Sequence, residues 1–196
     1  MKLKLLLFAL LFSLSAYSQW GVKAGLDYGT LSGAYATKYK VGFHAGATYD
    51  FKLSEKFYFQ PAALFSLHSF GFDGNKLFYL KDGTVDRYFL EIPANFSFRP
   101  AITSSTKLVI DFGLYAKYGL FGKLKYIVHS EDNYETVRAS SYDEYNRFDV
   151  GVNVGVGMEI NRIYIGLGYQ RGLTNEDGEV EAFRNQIFRI SCGYKF

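Results

Sequence analysis

The chain carries ionisable residues at even spacings inside apolar surroundings: Lys23 and Asp27, Asp50 and Lys52, Arg87 and Glu91, Asp111 and Lys117, then Asp149, Glu159, Arg189 and Lys195. His44 sits in the same kind of setting, and His68 follows it. Residues of these types support three kinds of chemistry. A histidine base with a carboxylate and a hydroxyl makes a hydrolytic triad, and His44 or His68 with Asp50 or Glu91 and Ser66 or Ser69 supplies the parts. Carboxylates on a loop bind a divalent cation, and Asp132, Asn133, Glu176, Asp177 and Glu179 are the candidates. Ion pairs between the two signs neutralise each other in a buried network. No nucleophile motif accompanies either histidine, and the acidic spacing fits no EF-hand loop. The balance of signs therefore favours the third reading: a charge network of Lys23, Asp27, His44, Asp50, Lys52, Arg87, Glu91, Asp111, Lys117, Asp149, Glu159 and Arg189, with no catalytic, cofactor or metal site.

The elements that hold these residues are legible in the period of the sequence. Nineteen per cent aromatic residues, 20 glycines and three prolines point to strands. Eight segments share a two-residue period, with one wholly apolar row opposite a row that carries the polar, charged and glycine residues: WGVKAGLDY, VGFHAGATYDFKL, FYFQPAALFSLH, RYFLEIPANFSF, LVIDFGLYAKYGL, FDVGVNVGVGMEI, IYIGLGYQ and IFRISCGYKF. Each has about the ten residues that a tilted strand needs to cross a hydrocarbon layer. Pro61 lies on an apolar row and lacks a donor, which predicts a bulge or a missing ladder bond.

A fifth of the chain is charged, yet none of the apolar-row positions is. Lipid accounts for that exclusion, since Lys or Arg facing the bilayer midplane costs about 2–4 kcal/mol. A soluble lipocalin-like barrel would also alternate, with its apolar row inside. The polar row decides between them, because it is rich in glycine (Gly21, Gly25, Gly42, Gly46, Gly113, Gly151, Gly155, Gly157, Gly166, Gly168 and Gly193). Glycine makes room for long charged side chains in a narrow barrel interior and has no such use in water. The predicted fold is an all-β, eight-stranded, closed antiparallel transmembrane β-barrel of OmpA/OmpX-like size, with a polar, filled lumen.

Connections and ends agree with this fold. Short links at 54–56, 99–107 and 161–162 alternate with long ones at 29–40, 68–86, 121–146 and 171–184, the arrangement of tight periplasmic turns and larger outer loops. Aromatic residues cluster at both ends of the rows: Trp20, Phe51, Phe57, Phe98, Tyr194 and Phe196 at one, Tyr28, Phe65, Tyr88, Tyr118, Phe148 and Tyr169 at the other. Residues 1–18 read as a secretory signal peptide, with Lys2 and Lys4 before the apolar run Leu5 to Leu14 and small residues Ala16 and Ser18 before the cut. The barrel domain then occupies 19–196. Without Lys2 and Lys4 the formal charge falls from +3 to +1 (20 basic against 19 acidic residues), which suggests no nucleic-acid partner. The single cysteine, Cys192, can form no internal disulfide.

GVKAGLDYG, GFHAGATYDFKLSEKFYFQPAALFS, YFLEIPANFSF, VGVGMEI and YQRGLTN resemble the outer-membrane β-barrel domain of PorT-like proteins of Bacteroidota-type bacteria, over essentially the whole mature chain. The resemblance implies the outer membrane as location. The name-giving member is associated with gliding and protein secretion. The final strand, FRISCGYKF, resembles the assembly signal of outer-membrane barrels, which implies the barrel-assembly machinery as a partner and Phe188, Ile190, Tyr194 and Phe196 as the signal.

The functional expectation is a non-enzymatic outer-membrane protein with a structural, adhesive or protein-interaction role through its long outer loops. Segments 130–146 and 174–181, with Tyr126, Tyr134, Tyr142 and Tyr145, are the expected contact surface. Membrane lipid and lipopolysaccharide surround the barrel. The alternatives are a component or assembly factor of an envelope secretion or gliding machine and, third, a lipid-modifying enzyme.

Overall fold

In the computed structural model, the described residues are 18–32, 37–72, 80–130, 133–142, 146–174 and 184–196. They form nine strands: β1 (Ser18–Ser32), β2 (Thr37–Lys52), β3 (Phe57–Phe72), β4 (Leu80–Phe98), β5 (Thr106–Ser130), β6 (Asn133–Ser140), β7 (Phe148–Ile160), β8 (Ile163–Gly172) and β9 (Arg184–Lys195). All pairings are antiparallel. The ladder β4-β3-β2-β1-β9-β8-β7-β5 closes through β4–β5 into an eight-stranded barrel, and β6 pairs with the last eight residues of β5, Lys123 to Ser130. The predicted leader lies outside the described residues except for Ser18.

Closure follows from registers that keep like faces together. β1 meets β9 from Gly21–Lys195 to Ser32–Arg184, so that the charged Asp27 and Arg189 are direct partners and Leu26 and Ile190 share the opposite face. At the end of that seam the Phe196 amide donates to the Trp20 carbonyl at 2.9 Å. The tight turn between β7 and β8 depends on Asn161, whose φ of 54° is left-handed and suits asparagine better than most residues. Pro61 leaves a gap in the β2–β3 ladder between the pairs Thr48–Ala62 and Phe51–Phe59 without a register slip.

The apolar row faces outward. Leu26, Leu114, Val154, Ile165, Leu167 and Ile190 are all more than half exposed. Rings gather at both rims of this band, with Trp20 against Tyr49 and Phe57 against Phe98 at the end carrying the short turns, and Phe65, Tyr88 and Phe121 stacked at the other. No helix among the described residues is long and apolar enough to cross a membrane; this barrel crosses with strands.

The structure lengthens the predicted strands at the outer end. β5 runs for 25 residues; at about 3.3 Å per residue it far exceeds the hydrocarbon layer. β4 starts at Leu80, seven residues ahead of the predicted segment, and β6 is a strand where a loop was expected. The reason is physical. Beyond the lipid, charge is tolerated on both rows, so the pattern that marks the spanning parts disappears. A bulge inserts Leu120 between the pairs Tyr88–Phe121 and Phe89–Gly119, which exchanges the two faces of β5. Leu124 thereby turns inward and meets Leu31, Phe70 and Val85 in a small apolar core above the charged lumen.

Arginine at Leu167, in the middle of the outward row of β8, is expected to destabilise the barrel by about 2–4 kcal/mol, and at Ile163, beside the turn, by about 0–1 kcal/mol. Denaturant titration in lipid vesicles measures both; equal effects would contradict the assigned depth.

Candidate functional site: the charged lumen

Among the described residues the lumen side holds six carboxylates (Asp27, Asp50, Glu91, Asp111, Asp149, Glu159) and six cations (Lys23, Arg87, Arg99, Lys117, Arg189, Lys195), every one buried except the half-buried Lys23, with the partly exposed Lys107 at its rim. They separate into two clusters along the barrel axis.

Arg189, on β9, is the hub of the outer cluster. Its two terminal nitrogens donate to both oxygens of Glu91 at 2.7 Å, a bidentate pair. Its Nε lies 3.1 Å from Asp27 Oδ1. Gln170 donates to Glu91 at 2.7 Å, and His68 Nε2 stands 3.3 Å from Arg189. Lys117 links this group to the outer rim, 3.3 Å from His68 Nδ1 and 3.0 Å from Asp149. Asp149 also accepts from Tyr115 and Asn185 and from Thr174. Arg87 donates to Asn185 at 3.1 Å and stacks over the rings of Phe70 and Phe89, where the charged zone meets the apolar core.

The inner cluster lies toward the short turns. Asp50 accepts from Arg99 through both oxygens, at 2.5 and 3.0 Å, and from Gln60, and it pairs with Lys195 at 2.7 Å. Lys195 bridges to Glu159, which also receives the partly exposed Lys107 at 3.2 Å. Between the clusters is a cavity of about 50 Å³ lined by Lys23, Asp111, Asn95, Asn153 and Gln170 among others. One polar atom on each of Asp111, Asn95, Asn153 and Gln170 has no protein partner, and a space of this size holds several water molecules, each needing about one probe volume of 10–15 Å³. Lys23 lies over the Tyr164 ring at 4.9 Å.

His44 donates or accepts at both nitrogens, with Asp27 at 2.7 Å on Nδ1 and Ser191 at 3.0 Å on Nε2. It packs against the Gly25 backbone, where a Cβ would come within 2.6 Å of the imidazole. The carboxylate–imidazole–hydroxyl order is that of a triad, but with partners other than those the sequence offered. His44 does not reach Asp50 or Glu91. Ser66 donates to Glu91 at 3.4 Å and Ser69 to Asp86 at 2.7 Å, neither of them to a histidine.

One residue assigned to the network is corrected. Lys52 is exposed at the end of β2, where the strand has left the barrel interior for the turn. Arg99 and Ser191 escaped the sequence reading. Arg99 stands in the short link after β4, yet it follows Ser97 at the two-residue spacing of the inner row. Of the proposed loop ligands, Asp132, Glu176, Asp177 and Glu179 lie outside the described residues, as does Tyr145, and only the backbone of Asn133, Tyr126 and Tyr134 is described. Tyr142 folds back on the barrel, donating to the Tyr88 carbonyl at 3.1 Å beneath the Arg147 guanidinium. Phe188, Ile190, Tyr194 and Phe196 all project outward.

A closed barrel with an apolar outer band and a charge-filled lumen defines a transmembrane β-barrel protein. The chain matches, over residues 11–178, the model of the outer membrane protein beta-barrel domain, and it belongs to that family. It is an outer-membrane β-barrel. No curated protein matches it. Similar solved structures include the attachment invasion locus protein Ail of Yersinia pestis in complex with the heparin analogue sucrose octasulfate, at 17% identity and a TM-score of 0.47, covering 91% of this chain and 99% of that one. Neisserial surface protein A is 12% identical, with a TM-score of 0.49 and coverage of 90% and 97%. OprG from Pseudomonas aeruginosa is 13% identical, with a TM-score of 0.47 and coverage of 91% and 96%.

Arg189→Met leaves Asp27 and Glu91 buried beside each other without their shared cation, and an expected loss of about 3–5 kcal/mol follows. Lys107→Ala, at the solvent-exposed rim, is expected to cost no more than about 1 kcal/mol. Urea unfolding in detergent micelles compares them.

Proposed function

We propose that this barrel is a rigid mount for the outer sheet built by β4, β5 and β6, and that its role is structural or adhesive contact with a protein partner at that sheet and its loops. The observation that carries this reading is the continuation of β4 and β5 past the ring of Phe65, Tyr88 and Phe121, with β6 added on the far side. A chain that only had to span the bilayer has no need of those residues. Among the described residues β6 has no strand partner on its outer edge, and an edge of this kind can recruit a further strand.

On this reading the chain is not an enzyme. Asp27 is shared between His44, at 2.7 Å, and Arg189, whose nitrogens face both its oxygens at 3.1 and 3.2 Å, so its charge is divided between the imidazole and the guanidinium. Ser191 is buried on the lumen side of β9. A fluorophosphonate reagent is expected to leave Ser191 unmodified; labelling that His44→Ala abolishes would overturn this.

Within the same proposal, residues 1–18 are removed on export and 19–196 form the mature barrel. The final strand, with Phe188, Ile190, Tyr194 and Phe196, is read by the assembly machinery. The PorT-like resemblance is what supports the second reading, membership of an envelope secretion or gliding machine. Replacing residues 123–140 with a short turn distinguishes the readings. If the barrel remains heat-modifiable on SDS gels and in-cell crosslinking to its partner falls at least tenfold, the outer sheet is the contact surface. Unchanged crosslinking would exclude it.

A further inference from the structure

The outward face of the extended sheet carries a second charge arrangement, of opposite character to the lumen. Immediately beyond the Phe65, Tyr88 and Phe121 ring stack, β5 presents Lys123 and Lys125, both exposed. Lys125 lies directly opposite the exposed Arg138 of β6. On the other side, Lys125 is paired with Thr84 of β4, whose hydroxyl accepts from Lys40 of β2 at 2.5 Å across Gly71. Lys123 is opposite Asp86, but that carboxylate accepts from Ser69 and forms no ion pair with the lysine.

Two features of this face need an explanation. Like charges directly opposite each other destabilise a sheet, yet Lys125 and Arg138 are so placed. Moreover, Lys123, Lys125 and Arg138 have no ion pair or side-chain hydrogen bond among the described residues. In the lumen Arg99, Lys117, Arg189 and Lys195 all sit against carboxylates, so exposed cations without a counter-charge set this face apart from the charge clusters of the interior.

Height identifies the missing anion. Lys123 is two residues above Phe121 and Lys125 four, which places them about 7 and 13 Å along the strand from the aromatic girdle. Aromatic girdles mark the headgroup level, so these cations face the phosphate layer of the outer leaflet, on the wall that continues the lipid-contacting band. We infer that Lys123, Lys125 and Arg138 form a binding site for the phosphate of an outer-leaflet lipid, with Lys40 and Thr84 at its edge. The acyl chains of that lipid would lie along Leu90 and Ile92, the outward residues below Tyr88 on β4. This site goes beyond the protein-contact reading and does not depend on it, since it uses the face of the sheet and not the edge of β6.

The test uses the full chain in detergent and native mass spectrometry. The probes are bisphosphorylated lipid A, the same glycolipid with its phosphates removed, and inorganic phosphate. The expected result is retention of lipid A, at least tenfold weaker retention of the dephosphorylated form, and no retention of inorganic phosphate. The K123Q/K125Q/R138Q variant is expected to lose lipid A at least tenfold, whereas R171Q, an exposed arginine on β8, retains it. The comparison between the two glycolipids needs no variant, and the single K125Q substitution, expected to weaken retention at least threefold, serves if the triple variant does not fold. Equal retention of both glycolipids, or of lipid A by wild type and K125Q, would overturn the site. Retention of inorganic phosphate as strong as that of lipid A would overturn its assignment to a lipid.

Discussion

An ionised side chain inside a membrane must find its counter-charge inside the protein, and that requirement organises this molecule. Among the described residues six carboxylates and six cations share the lumen, with Lys107 at its rim, so the two signs nearly balance although the barrel is packed with charge. A closed barrel of eight strands is just wide enough for side chains to fill, and the small residues along the inner row leave the rest of the space to the long ones. Each strand therefore makes two surfaces for two solvents, one side chain apart.

Pairing, more than charge balance alone, divides the interior into layers. Arg189 gathers Asp27, Glu91 and His68, while Asp50 and Glu159 gather Arg99 and Lys195 at the other end. The cavity between them is polar and borders on carboxylate and amide atoms without protein partners. Above the outer cluster the solution changes. Leu31, Phe70, Val85 and Leu124 close the lumen by ordinary apolar packing, which becomes available once the strands pass beyond the lipid and the bulge at Leu120 reverses the faces of β5. Burying three or four such side chains contributes on the order of 1.5–3 kcal/mol each. The barrel is thus stoppered by two different kinds of chemistry.

How far the sequence discloses this depends on where each residue stands relative to the membrane. Within the bilayer, alternation is enforced by lipid, and the eight spanning strands and their outward faces are readable from it. The row on which Asp27, Glu91 and Arg189 sit is equally readable. Their grouping is not, because it depends on strand stagger: Asp27 and Arg189 are 162 residues apart in sequence yet directly opposed in the β1–β9 register. Arg99 was hidden by standing one residue past the end of β4, in the turn, with its side chain returning to the lumen. Outside the bilayer the enforcing solvent is gone. There β6 and the long ends of β4 and β5 carry charge on the outward face, as Lys123 and Lys125 show, and no periodic exclusion betrays them.

The whole arrangement depends on which row of each strand faces lipid, and spin labels placed along β8 read that sidedness. In a Cys192→Ser background, single cysteines at positions 163 to 170 would be labelled and the protein reconstituted in lipid. Labels at 163, 165, 167 and 169 are expected to collide with lipid-dissolved oxygen and to be shielded from a polar nickel chelate, and labels at 164, 166, 168 and 170 to be shielded from both. Free access of the nickel chelate to the even positions, with the odd ones shielded from both reagents, would mean that the apolar row lines the interior of a water-soluble barrel, and would contradict that sidedness.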